Sequence, residues 1–241
     1  MKSWKPVALT FLFASIVPLA AATAQMAQNA APKAPKQFQV LHAADFAPDV
    51  VLPPPPAPGS NEEKAEVMAV HMLVDSASEA RKAQARADAD LEDPSIFDEA
   101  AGVKLKSLPA TWALLKLVQN EGDRAADLSK IKFNRKRPFA VDPSLPNCDG
   151  SKLPTRSYPS GHSTLGYSVG LMLAELMPEK APAIMARARD YALSRVICGV
   201  HFPSDTDASH TIGSIVTIRL LLDPAVADRI AAARAEVAQV K

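Results

Sequence analysis

The chain has 241 residues, 48% of them hydrophobic and 22% charged, with 27 Lys and Arg against 26 Asp and Glu. Such a composition can bury the core of one globular domain and excludes disorder throughout, while the even charge balance supplies no field for a nucleic-acid partner. Nine glycines and 5% aromatics are too few for blades or sandwiches with many tight turns, so an all-α chain, a single-domain helical bundle, is expected.

Residues 1–24 read as a signal peptide. Lys2 and Lys5 make a basic start, the apolar run 7–20 falls short of the ~20 residues that span a membrane, and Ala22-Thr23-Ala24 is a small-x-small cleavage site. The product is expected to be periplasmic or secreted, with no membrane span after signal cleavage. Residues 25–59 read as an extended Pro-rich leader, polyproline over 52–58, and residues 60–241 as the helical domain. The first helix follows Ser60, whose cap Glu63 completes as a capping box, with Val67, Met68, His71 and Val74 at helical spacing. Further helices are predicted over 76–91 and 95–101. The next enters at Pro109, breaks at Gly122, continues towards Asn134 and stops at Arg137, because a residue before proline is pushed out of the α region. A long loop over 143–159 is followed by helices at 161–177, 182–197, 205–222 and 224–240. No strand alternation and no repeat is visible. His42, His71 and His210 show no partner pattern and read as structural or solvated.

Cys148 and Cys198 are an even pair in an exported product, so one disulfide is the expectation; two separate buried thiols are the alternative. Neither has the neighbours of a zinc finger.

Three clusters carry chemistry. Lys130-x6-Arg137-Pro138 places two cations seven apart, on nearly the same helix face, so both can address one anion. A solvated basic surface is the plainer reading. Pro159-Ser160-Gly161-His162 opens a helix, where a hydroxyl, free amide N–H groups and the positive dipole end suit an oxyanion; an ordinary cap would look the same. In Ser194-Arg195-x5-His201-x3-Asp205, a carboxylate that accepts a proton from Nδ1 of a histidine frees Nε2 as nucleophile or base, although a structural His–Asp bond has the same pattern.

Taken in this order, the three clusters resemble the signature of the acid phosphatase and vanadium haloperoxidase superfamily, also known as phosphatidic acid phosphatase type 2. The chain is most similar to its class A bacterial non-specific acid phosphatases, over roughly residues 50–240. The Pro-rich segment 52–58 and the stretch 194–199 share that likeness. Arg156 stands where the class pattern has Gly, and Ser163 where it has Thr.

The resemblance implies a phosphoryl site held by Lys130, Arg137, Arg195, Ser160 and the Gly161 amide. His201 would be the nucleophile that becomes phosphohistidine, Asp205 would orient it, and His162 would be the acid and then the base. The implied substrates are small-molecule phosphomonoesters, with no cofactor and no metal, since the cations do a metal's electrostatic work. Whether copies associate as a homo-oligomer stays open. The alternatives are a vanadium-dependent haloperoxidase with vanadate on His201, a membrane lipid phosphatase whose spanning helices are missing here, and a non-catalytic exported phosphate-binding protein.

Overall fold

The computed structural model describes Met1 and residues 37–240; the rest of the expected signal peptide and the leader up to residue 36 lie outside the described residues. The described residues 37–240 belong to one compact unit. Among the described residues there is no strand. Seven helices carry the unit: α1 (Asn61–Ser76), α2 (Glu79–Asp90), α3 (Pro109–Phe133), α4 (Gly161–Leu176), α5 (Ala181–Ile197), α6 (Pro203–Leu222) and α7 (Ala227–Val237). Short helical turns, among them Pro94–Phe97, Asp98–Ala101 and Pro138–Val141, join them.

α4 is the central element. It packs on α3, α5 and α6, and its Leu165, Val169, Met172 and Leu173 are buried against Leu114, Val118, Ile184 and Ile212. α2 lies against α5 and α7 against α3. Continuous apolar faces on α4 follow from this position, because a helix covered on several sides must be apolar nearly all round.

Three expectations are corrected. α3 does not break at Gly122: the helix runs straight through it, and a Cβ there would meet Ser168 Oγ of α4 at 3.0 Å. This glycine serves close helix approach. The helix also ends before Arg137, at Asn134, which takes a left-handed conformation with φ 42°. Arg137 is extended (φ −80°, ψ 155°), as its place before Pro138 requires, so it does not share a helix face with Lys130. Finally, the second helix does not start at Ser76, which is the last residue of α1, but at Glu79, with Ser78 as its N-cap.

The described leader is built into the unit. Leu41, Phe46 and Leu52 are buried in the main core, and the N–H groups of Gln39 and Leu41 donate to the buried Glu121 carboxylate at 2.7 and 3.1 Å. Ser60 caps α1 through the Glu63 N–H, while the Glu63 carboxylate reaches one residue further back, to the Gly59 N–H at 2.6 Å. Cys148 and Cys198 are disulfide-bonded, with Cα atoms 4.9 Å apart, and the bond ties the loop before α4 to the end of α5.

Candidate active site

A cavity of about 510 Å³ brings the three clusters together. Lys130 reaches it from the last turn of α3, Arg137 from the turn before Pro138, Gly161 and His162 from the first turn of α4, Arg195 from the last turn of α5, and His201 from the α5–α6 connection. That connection is possible because Gly199 takes φ 68°, with the Pro146 carbonyl so near that any Cβ would collide with it.

His201 is buried. Its Nε2 lies 3.2 Å from Arg137 Nη1, and the same Nη1 donates to the Val200 carbonyl at 3.0 Å. A guanidinium only donates, so Nε2 carries the lone pair and Nδ1 the proton. Nδ1 faces Asp205 Oδ2 and Ser157 Oγ, each at 3.4 Å. Asp205, the third residue of α6, is fully buried. Its carboxylate accepts from Arg135 Nη1 at 2.7 Å, from the Ser157 hydroxyl at 2.6 Å and from the Phe202 N–H at 2.8 Å.

The anion-facing groups are held differently. Arg195, only 1% exposed, donates from Nη2 to Asp149 at 2.6 Å, and its Nε and Nη1 have no partner among the described residues; nor does Arg137 Nε. Lys130 Nζ donates to the Arg156 carbonyl at 3.3 Å, and a Cβ added at Gly161 would lie 3.8 Å from that Nζ. Nε2 of His162 donates to the Ala89 carbonyl at 3.1 Å and lies 3.0 Å from Glu92. Ser160 is fully buried and does not line the cavity; its oxygen caps α4, accepting from the Ser163 N–H at 3.3 Å.

With these placements established, the chain can be compared with known proteins. The PAP2 superfamily model matches residues 110–226, the stretch from α3 to the entry of α7 that contains every lining cation. A non-specific acid phosphatase of Salmonella typhimurium is 34% identical, covering 77% of this chain and 78% of its own. One from Providencia stuartii is 34% identical, covering 79% and 81%. An acid phosphatase of Zymomonas mobilis subsp. mobilis is 36% identical, covering 69% and 66%. The chain belongs to the non-specific acid phosphatases of the PAP2 superfamily. The crystal structure of a transmembrane PAP2-type phosphatidylglycerolphosphate phosphatase from Bacillus subtilis shares the fold, with TM-score 0.50 and 20% identity over 67% of this chain and 85% of that one. No described helix is long and apolar enough to cross a membrane.

The electrostatics of this acid phosphatase follow from like charges sharing a buried cavity. Burial and then the Arg137 charge bring the Lys130 ammonium down to about 8. Burial and then Arg195 bring His162 down to about 3. Burial, with Arg137, Lys130 and Arg195 behind it, holds His201 well below the ordinary imidazole range. A bound oxyanion reverses the Coulomb part of each shift.

Sequence reasoning missed the residues that fix Asp205. Arg135 stacks over the Phe202 ring with its guanidinium carbon 4.0 Å from the centroid, and it bridges Asp205, Ser204 and Glu66. A buried aspartate needs a cation, and that rule could have asked which residue of the basic run 130–137 supplies it. Ser157 and Glu66 carry no signal of their own. Of the remaining histidines, His71 does have a partner, Asp142, at 2.9 Å, and His210 packs on Tyr167 with ring centroids 4.6 Å apart.

Proposed function

We propose that this protein is an exported acid phosphatase that hydrolyses phosphate monoesters without a metal, through a phosphohistidine on His201. One observation carries the mechanism: the lone-pair nitrogen of a buried, neutral imidazole faces a cavity shared by Lys130, Arg137 and Arg195. Nε2 attacks phosphorus, the ester P–O bond breaks, and the leaving oxygen takes a proton from His162. Water then gives a proton to His162 and attacks phosphorus, the P–N bond breaks, and phosphate leaves. The cations and the Gly161 amide at the start of α4 stabilise the oxygens of the transferring group. Asp205 holds the proton on Nδ1 of His201.

The low proton affinity of His162 supports an acidic optimum. The residue becomes an acid only once a phosphate dianion offsets Arg195 and Lys130, and low pH favours that state. Export is supported by the N-terminal pattern and by the Cys148–Cys198 bond, which persists in oxidising compartments. The relatives' title of non-specific acid phosphatase supports small phosphomonoesters as substrates.

The test is purified mature protein with a chromogenic aryl phosphate, with and without chelator. Turnover that survives chelation and is inhibited by vanadate or phosphate is expected. Loss of turnover on chelation would overturn the metal-free mechanism, and halide oxidation with added vanadate in place of hydrolysis would favour a haloperoxidase.

A further inference from the structure

Arg195 is the most buried cation of the cavity, and one partner fixes it. Nη2 donates to Asp149 at 2.6 Å, while Nε and Nη1 have no partner among the described residues. An arginine with so many rotamers addresses an oxyanion efficiently only if its plane is fixed beforehand. What holds Asp149 still is covalent. It follows Cys148, whose disulfide partner Cys198 lies three residues beyond Arg195, and the Cys148 N–H donates to the Cys198 carbonyl at 3.2 Å.

The turn around Asp149 closes on itself. The Asn147 side chain donates to the Ser151 carbonyl at 2.8 Å and accepts from the Ser151 N–H at 3.2 Å, and Asp149 Oδ1 also accepts from that N–H at 2.9 Å. Gly150 takes φ 63°, the left-handed conformation this turn requires. The effect of this arrangement at the cavity is to bring one carboxylate to one guanidinium across its wall.

We propose that Asp149 is a positioning residue for Arg195, and that the Cys148–Cys198 disulfide is the tether that keeps it in place. The proposal rests on the phosphatase reading. Asp149 touches neither phosphorus nor the leaving group; it acts through the guanidinium. An asparagine retains an oxygen that accepts from Nη2, whereas an alanine does not.

Three variants test this: Asp149→Ala, Asp149→Asn and the double variant Cys148→Ser with Cys198→Ser, each checked for folding by circular dichroism. The alanine variant is expected to lose turnover by about 10²-fold, as for a misplaced positioning group. The asparagine variant should recover most of that loss. The double cysteine variant should lose turnover in the same direction, and adding Asp149→Ala to it should cost little more. Reducing folded wild type with dithiothreitol gives the same reading where the double variant folds poorly. Wild-type turnover in the alanine variant, failure of asparagine to rescue, or losses that multiply would each overturn the proposal. Calorimetric binding of inorganic phosphate, expected to weaken in Asp149→Ala and recover in Asp149→Asn, reports on Arg195 without turnover. If wild type hydrolyses no aryl phosphate, the phosphatase reading falls while this arm still judges Asp149.

Discussion

Behind His201, Asp205 is held by Arg135, Ser157 and its own helix N-terminus, and Arg135 is in turn held by Glu66 and Ser204, with its Nε alone lacking a partner among the described residues. In front of His201, among the described residues, Arg137 leaves Nε, and Arg195 leaves Nε and Nη1, without partners, and Lys130 donates to the Arg156 carbonyl. The rear charges neutralise each other inside the fold; at the front Lys130, Arg137 and Arg195 repel one another, with Asp149 offsetting Arg195. Opposite charges at the rear contribute to holding α6 against the α3 end and the loop before α4. Like charges at the front oppose folding and leave their field for an anion.

The largest effect expected from that contrast is at the point where the two sides meet. His201→Ala removes the proposed nucleophile and should lower turnover by about 10⁴-fold or more for every substrate, with no phosphoenzyme trapped by acid quench. His162→Ala should cost about 10²–10⁴-fold with alkyl phosphates and less with aryl phosphates, whose leaving oxygen needs little protonation. Phosphate trapped on histidine in His201→Ala, and absent in His162→Ala, would reverse the two roles.

A second pair separates rear from front. Arg135→Met leaves the buried Asp205 carboxylate without its cation and should cost about 3–5 kcal/mol of stability in urea unfolding. Arg195→Met should lower turnover by about 10²–10³-fold, as loss of a group that stabilises transferring charge. Its cost in stability should be smaller, because Asp149 retains access to water and one of the mutually repelling cations is gone. Equal losses of stability in the two variants would erase the distinction.

The smallest effect is in pH. His162, at about 3, and His201 bind protons more weakly folded than unfolded. Between about pH 3 and the unfolded value near 6.5 the unfolded chain therefore holds more protons, so stability rises with pH and falls on acidification, by up to ~1.4 kcal/mol per pH unit for each histidine. Thermal melts from pH 7 to pH 5 should show this fall, and phosphate should flatten it by raising both imidazoles. A melt insensitive to pH without phosphate would contradict the burial and, behind it, the cation repulsion that depress both imidazoles.

Much of this was legible beforehand. The helical order from α1 to α7 follows from capping residues, proline placement and apolar spacing, all local properties. The lining residues Lys130, Arg137, Gly161, His162, Arg195 and His201 are visible as spaced clusters because each has a chemically specific side chain. The face shared by Lys130 and Arg137 was misjudged, because a single left-handed residue, Asn134, ends the helix, and asparagine in that role looks like any surface asparagine. Gly122 was misjudged for the converse reason. A glycine that admits a neighbouring helix and one that breaks its own are identical in sequence, and the contact with Ser168 lies 46 positions away.

By itself the sequence determined an all-α chain, the order of its elements, the family and six of the residues that line one cavity, Lys130, Arg137, Gly161, His162, Arg195 and His201, but not the carboxylates that line it with them. These depend on local conformational preference and on residue chemistry, which single positions carry. Only the tertiary structure decided that Arg135 rather than another cation neutralises Asp205, that the Ser157 hydroxyl donates to Asp205 beside His201, and that Asp149 holds Arg195. Those assignments depend on distances of a few ångströms between residues tens of positions apart, set by how the helices pack, and no local pattern encodes them.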